Sequence, residues 1–187
     1  MARLFIALAL AKQQKDEVVN YQEQLKSFME GIRWVKPEGL HLTLKFLGET
    51  DESRIEQIKI AMDEAAASLW PLRMTFGSTG IFPSPRKARI LWIGLQEGGQ
   101  TVWELALKND KLLASYDFEP EKRNFKPHLT IGRVRTALSR EAAERYLNFG
   151  STFATSSNTV KEMILYESRL SPRGATYYVL HRAPFAC

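Results

Sequence analysis

Apolar and polar residues follow two different periods along this chain, and the changes between them predict an ordered series of strands and helices. Short apolar runs are typical of buried strands, whereas apolar residues three and four positions apart are typical of one helix face. In the first half, these patterns predict a strand at 3–10, a helix at 11–30, a strand at 41–47, a helix at 52–69 and a strand at 72–82. The order is strand, helix, strand, helix, strand.

The second half repeats this order. Its predicted elements are a strand at 89–95, a helix at 100–115, a strand at 128–135, a helix at 139–147 and a strand at 160–168, with a closing strand at 176–181. No linker separates the halves, so we expect one α+β domain over 1–187 that is built from two interleaved, similar lobes. Coincidence remains an alternative, because mixed chains often repeat such patterns.

Composition narrows the class of protein. A chain of 187 residues with 44% hydrophobic residues has enough apolar side chains for one core. No apolar run reaches the roughly 18 residues of a membrane helix, and the polar residues from Lys12 onward argue against a leader peptide. Cys187 is the single cysteine, expected to be inert, so an intrachain disulfide is excluded. We expect a cytoplasmic protein in a reducing compartment, without a membrane partner.

The charge is moderately basic. Lys and Arg number 26 against 21 Asp and Glu, which gives a net charge of +5. Such an excess attracts a polyanion when the cations converge on one surface, whereas a solvated loop is the alternative. Five cations cluster in sequence: Lys122, Arg123, Lys126, Arg133 and Arg135.

Two of the three histidines open the same four-residue pattern, in corresponding strands of the two halves. The patterns are His41-Leu42-Thr43-Leu44 and His128-Leu129-Thr130-Ile131. Side chains two apart on a strand share a face, so each histidine lies beside its threonine while the apolar residues anchor the strand. If the lobes face each other, two imidazoles and two hydroxyls converge on one cleft.

This set of groups suits acid and base chemistry on phosphorus. Histidine titrates near neutral pH, so one imidazole can accept a proton while the other donates one. The threonine hydroxyls can bind non-bridging phosphoryl oxygens. A cyclic phosphodiester fits well, because its ring holds the leaving oxygen in place. Neither motif contains a carboxylate, and P-loop and serine-hydrolase motifs are absent, so we expect no metal and no cofactor. The alternative for each histidine is a structural strand residue.

The chain resembles the two-histidine phosphoesterase superfamily, and within it the RNA 2′,3′-cyclic phosphodiesterases once described as 2′-5′ RNA ligases. The likeness covers nearly the whole chain. Beyond the two motifs it rests on the opening strand from Arg3, the run from Arg33 to Leu40, the segment from Lys45 to Glu49, and the residues on either side of the second motif. It implies a bilobal fold of two pseudo-symmetric lobes of antiparallel sheet, with helices outside and the active site in the cleft between them.

The resemblance also implies residue roles. His41 is the proton donor to the leaving 3′ oxygen, and His128 is the base that activates water, so that a 2′-phosphate end forms. The reverse reaction is 2′-5′ ligation. Thr43 and Thr130 contact the phosphate, and Arg133 matches a basic residue of the family that can bind phosphate as a fork. By spacing alone the two motifs are interchangeable, so the sequence leaves open which histidine is the acid.

Several further site residues are expected around the motifs. Arg133 is five positions after His128, so in a regular strand its side chain would point to the opposite face. A bulge at Gly132 would bring it to the His128 face; the alternative is that the strand ends there and Arg133 is solvated. Lys45 is four positions after His41, so in a regular strand the two side chains share a face. Lys45 is expected to contact RNA phosphates; the alternative is a lysine that faces solvent. Phe5 and Trp34 are expected to stack on the terminal base, ahead of Phe46 and Phe125, although each aromatic residue has a core role as its alternative.

The expected partner is an RNA with a 2′,3′-cyclic phosphate end. tRNA-derived fragments, intron ends and decay fragments share this terminus, so the sequence does not identify the physiological RNA. A monomer is expected, although no pattern reports oligomeric state. Two alternatives stay open: a non-catalytic protein that binds RNA ends, and a phosphodiesterase of small cyclic nucleotides or of ADP-ribose cyclic phosphate.

Overall fold

The computed structural model describes residues 1–172 and 174–186, so Cys187 lies outside the described residues. Its α-helices are α1 (Lys12–Lys26), α2 (Ile55–Ala66), α3 (Gly99–Ala114) and α4 (Arg140–Phe149). Its strands are β1 (Ala2–Ala9), β2 (Ile32–Trp34), β3 (His41–Thr50), β4 (Leu72–Phe82), β5 (Ile90–Glu97), β6 (Leu129–Val134), β7 (Asn158–Val160), β8 (Glu162–Ser171) and β9 (Gly174–Pro184). The predicted order of strands and helices is confirmed in both halves. None of the helices in the described part is long and apolar enough to cross a bilayer.

The strands form one curled antiparallel sheet in the order β7-β4-β5-β6-β3-β1-β8-β9, with β2 paired to β6. The two motif strands, β3 and β6, are neighbours at its centre, and β1 and β5 flank them symmetrically. β4 belongs to the first half of the chain but lies on the side of the second half, and β8 does the reverse. The predicted fold class, two pseudo-symmetric lobes of antiparallel sheet, is confirmed.

The core lies between the helices and one face of this sheet. Leu42 of β3 and Leu129 of β6 are fully buried in the same apolar cluster as Val18 of α1 and Val102 of α3. Burying an aliphatic side chain of this size stabilises the fold by about 1.5–3 kcal/mol. The apolar positions of both motifs therefore fix the strands, and the histidines and threonines between them point to the opposite face.

The structure departs from the predicted boundaries in three places. Strand β2 is absent from the predicted elements, because three residues are too few to show a period of two. The helix predicted at 11–30 ends at Lys26, where the Ser27 hydroxyl donates to the Gln24 carbonyl. The strand predicted at 160–168 is interrupted, since Val160 ends β7 and β8 begins at Glu162.

Candidate active site

The two motifs meet at the junction of β3 and β6. Leu42 pairs with Leu129 in antiparallel register. A regular antiparallel ladder continued by one residue on each side of this pair would set His41 opposite Thr130 and Thr43 opposite His128. The two histidines would then be diagonal neighbours, and in a regular ladder such neighbours are about 7–8 Å apart. A separation of that size would leave room for one phosphoryl group between the imidazoles.

Arg133 reaches the same face because β6 contains a bulge. Thr130 and Gly132 are two residues apart, yet they pair with consecutive residues of β5, so Ile131 is an extra residue. An extra residue reverses the alternation of side chains beyond it. Arg133 consequently lies on the face of His128 and Thr130, and the bulge expected at Gly132 is present.

Strand β3 contains the matching bulge. Thr43 and Lys45 pair with consecutive residues of β1, which leaves Leu44 as the extra residue. The parity reversal therefore applies to both halves of the molecule. Phe46 takes the position on β3 that Arg133 takes on β6, and its side chain is 66% exposed.

The same bulge removes Lys45 from the cleft, which corrects the expectation that Lys45 meets RNA phosphates. Lys45 is buried, and its ammonium group donates to the Asp110 carboxylate and, at 2.8 Å, to the Glu119 carbonyl. Asp110 in turn accepts from the backbone N–H of Glu121. Lys45 thus joins β3 to α3 and to the loop before the second motif.

His41 lies in an aromatic and cationic environment. Its ring stacks on Phe5 with centroids 4.7 Å apart and meets the edge of Tyr177 at 5.2 Å. Burial, followed by the positive charges of Lys15 and Arg133, lowers the pKa of His41 from its ordinary 6.5 to about 4. The free site therefore disfavours a cation at this position, and an anion bound between these groups opposes that effect.

His128 has a fixed tautomer. Its Nδ1 lies 2.6 Å from the backbone carbonyl oxygen of Lys126. A carbonyl oxygen accepts only, so in the neutral ring Nδ1 carries the hydrogen and Nε2 keeps its lone pair. Burial lowers the pKa of His128, an effect that the Lys126 carbonyl partly offsets. Edge contacts with Phe82 at 5.0 Å and Trp92 at 6.2 Å hold the ring.

The structure leaves no room for a nucleobase on Phe5, and it packs part of Trp34 against the core. Phe5 is 3% exposed, and its ring is covered by His41, Tyr166 and Tyr177. Trp34 pairs with Gly132, which faces the core after the bulge, and it packs against that core. The prediction for Phe5 is therefore wrong, because its ring packs against His41, whereas the stacking role of the half-buried Trp34 stays a prediction.

Three other observations complete the site. The hydroxyls of Thr43 and Thr130 make no hydrogen bond to any described protein group, so both are available to a ligand. Over the described ranges, no three His, Cys, Asp or Glu side chains form a set that could hold a metal ion. The third histidine, His181, lies apart from the motifs and contacts the Asp63 carboxylate of α2 at 2.7 Å.

Sequence reasoning missed Lys15 and Tyr177. Lys15 lies on α1, and nothing in its amphipathic pattern indicates that it approaches His41. Tyr177 belongs to the predicted closing strand, but only its pairing with Ser168 of β8 brings it beside His41. Both depend on contacts between distant segments.

Comparisons with known proteins identify the family of this chain. A model of the LigT-like phosphoesterase family matches the chain twice, over residues 8–92 and 93–177, so each match contains one motif. The RNA 2′,3′-cyclic phosphodiesterase of Methanocaldococcus jannaschii is 35% identical over 184 residues, covering 95% of this chain and 98% of the relative. The protein of the same name from Methanothermobacter thermautotrophicus is 32% identical over 175 residues, covering 94% of each chain.

Among solved structures, TT0787 of Thermus thermophilus has the same fold, with a TM-score of 0.81. Its sequence identity is 24%, and the match covers 98% of this chain and 97% of that one. The two internal matches, the full-length relatives and the shared fold lead to one conclusion. This chain belongs to the LigT-like phosphoesterase family.

Proposed function

We propose that this protein is an RNA 2′,3′-cyclic phosphodiesterase that opens cyclic phosphate ends to 2′-phosphomonoesters. The observation that carries the proposal is the Leu42–Leu129 pairing, because it brings the two motif strands side by side, and with them the two histidines and two threonines of the motifs. The relatives that bear this activity in their names match nearly the full length of the chain. Two titrating groups favour an enzyme over a protein that only binds RNA ends, because binding alone does not require them.

His128 is the general base in this proposal. Its Nε2 lone pair takes a proton from water as the water oxygen attacks phosphorus. The bond between phosphorus and the 3′ oxygen breaks, and His41 donates its proton to that oxygen, which leaves a 3′-hydroxyl and a 2′-phosphate. The Lys126 carbonyl favours this assignment, because it holds the hydrogen of His128 on Nδ1 and leaves the Nε2 lone pair able to accept a proton.

His41 becomes an effective acid only when substrate is bound. Its low pKa in the free protein arises from burial and from two neighbouring cations. A bound phosphate anion lies between Lys15, Arg133 and the imidazole, and its charge raises the pKa of His41. Arg133 binds the non-bridging oxygens as a fork, and Thr43 and Thr130 donate hydrogen bonds to them.

Phe46 is the residue that we propose for stacking on the terminal base. It is exposed, and its ring lies 6.1 Å from the ring of Phe5, which itself supports His41. Aromatic stacking on a nucleobase tolerates any base, which suits an enzyme that recognises an end rather than a sequence.

The remaining features are proposed more broadly. The reverse reaction, 2′-5′ ligation, uses the same groups in exchanged roles. We propose a monomer that acts in the cytoplasm, in keeping with a single cysteine in the whole sequence. tRNA fragments, intron ends and decay fragments are all acceptable substrates, because the reacting phosphorus belongs to their common terminus.

The test is hydrolysis of a 2′,3′-cyclic mononucleotide by the protein and by His41→Ala and His128→Ala. We expect each substitution to lower kcat by about 10²–10⁴-fold while nucleotide binding is retained. A non-catalytic RNA-end binder predicts no turnover by any of the three proteins. Unchanged turnover in both variants contradicts the two-histidine mechanism.

A further inference from the structure

Two adjoining grooves begin beside the active site, at the start of β5 and the end of β6. The first, of about 550 Å³, is lined by residues 88–90 and 133–137. The second, of about 510 Å³, shares Ala88, Arg89 and Ala137 with the first and continues along the turn before β5. We call the two together the basic groove. Its cations are Arg86, Lys87, Arg89, Arg133 and Arg135.

The charge of the basic groove is not neutralised by the protein. None of its five cations forms an ion pair with a described residue, and its lining contains no acidic side chain. Elsewhere on the surface, cations such as Lys122 and Arg140 are paired with glutamates. Unpaired positive charges along one groove attract an extended polyanion.

The arrangement of Arg33 strengthens this argument. Arg33 of β2 pairs directly with Arg133 across the sheet, and both are exposed. Like charges in directly opposed positions destabilise a sheet. A bound phosphate would reduce the repulsion between the two guanidinium groups, so this pair favours the binding of an anion.

Arg133 belongs both to the active site and to the basic groove. It lies near enough to His41 to lower that pKa, and it also lines the first groove. A cyclic mononucleotide has one phosphate, which the active site accommodates. The cations beyond Arg133 therefore have no partner in such a substrate, whereas a longer RNA carries further phosphates on the 5′ side of its cyclic end.

We propose that the basic groove binds the phosphates of the nucleotides that precede the cyclic end, so the enzyme acts preferentially on RNA chains. This inference rests on the proposed function, since it identifies the substrate class of the same site. The interaction is mainly electrostatic and independent of sequence. The basic groove, rather than the whole cluster of cations around the second motif in the sequence, is the proposed RNA-binding surface, because Lys122 of that cluster is paired with Glu119.

The experiment compares a 2′,3′-cyclic mononucleotide with a single-stranded hexanucleotide that ends in the same nucleotide. The variant is Arg86→Gln/Lys87→Gln/Arg89→Gln. The matched control is Lys12→Gln/Lys122→Gln/Arg140→Gln, which removes the same charge from cations that are paired with acidic residues. All substituted side chains are exposed, and thermal unfolding checks that the variants remain folded.

We expect kcat/KM for the hexanucleotide to fall at least tenfold in the groove variant and less than twofold in the control. Mononucleotide turnover is expected to stay within twofold in both. The dependence of log kcat/KM on log salt concentration is expected to become shallower by about 2, at about 0.7 for each lost phosphate contact.

Three results overturn the proposal. They are equal losses in the groove variant and the control, equal losses on both substrates, and a wild-type protein without preference for the hexanucleotide. In each of these cases the wild-type protein still hydrolyses the mononucleotide, so the proposed function stands. Failure of the wild-type protein to hydrolyse either substrate refutes the proposed function instead.

Discussion

Leu42 and Leu129 are antiparallel partners at the centre of the sheet, and their pairing joins the two halves of the active site. Both side chains are fully buried, so the register is fixed by the core. A slip of either strand by one residue would turn its own leucine to solvent and its own histidine into the core. The pairing of the two motif strands and the packing of the core thus depend on the same two residues.

The pH dependence follows from the two histidines. In the proposed mechanism the active form has a protonated His41 and a neutral His128. In the free protein His41 has a pKa of about 4, and the pKa of His128 lies below its ordinary value of 6.5. We therefore expect a bell-shaped profile of kcat/KM with its maximum between these limits. The alkaline limb of kcat is expected at higher pH, because bound phosphate stabilises the protonated imidazole.

Steady-state kinetics at pH values from about 3.5 to about 8.5 measure both profiles, a range that brackets the ordinary pKa of histidine. His41→Ala should remove one limb. A kcat/KM profile with both limbs above the ordinary histidine pKa contradicts this account of the site.

Gln22 is expected to position Arg133. This buried residue of α1 donates hydrogen bonds to the carbonyls of Ile131, the bulged residue, at 2.8 Å and of Val35 at 2.9 Å. Gln22→Met keeps the side-chain volume but removes both bonds, so the bulge loses support. We expect kcat to fall by about tenfold, less than in Arg133→Ala.

A double-mutant cycle separates positioning from general destabilisation. If Gln22 acts through Arg133, the Gln22→Met substitution has little further effect on kcat in the Arg133→Ala background. Fully additive losses would argue against that coupling.

Phe46 is expected to contribute to binding rather than to chemistry. Loss of base stacking costs about 1–3 kcal/mol, so Phe46→Ala should raise KM for a cyclic nucleotide by about 5- to 150-fold with little change in kcat. Trp70→Ala is the control, because Trp70 is 67% exposed in the loop between α2 and β4. An equal effect on KM in the two variants would refute the stacking role.

Lys45 and Asp110 are expected to affect stability. Asp110→Ala leaves the buried ammonium group of Lys45 without its carboxylate, which typically costs about 3–5 kcal/mol. Lys45→Met/Asp110→Asn should recover most of that loss, because no unpaired charge remains and the new amide oxygen would still accept from the backbone N–H of Glu121. Urea unfolding measures the free energies. If Lys45→Met instead made the salt dependence of RNA turnover shallower, Lys45 would contact RNA phosphates and this account of Lys45 would be wrong.

The contrast between Lys45 and Arg133 indicates what the sequence can predict. The two motifs and the order of elements are local patterns, and the structure places them as expected. Side-chain faces after the motifs depend on bulges, which local alternation does not reveal. Gly132 marks one of them, but Leu44 resembles any buried strand residue, so simple parity gives the wrong face for Lys45. The environment of His41 also depends on segments that are distant in sequence, including Lys15 and Tyr177.

The central claim is that His41 and His128 act on opposite sides of one phosphorus atom. A crystal structure with a bound nucleoside 2′-monophosphate tests it most directly. The account predicts that one ring nitrogen of each histidine lies within about 2.6–3.2 Å of an oxygen on or beside the phosphate, with Arg133 on a third oxygen. A phosphate held by only one of the two imidazoles, with the other beyond reach, would contradict it.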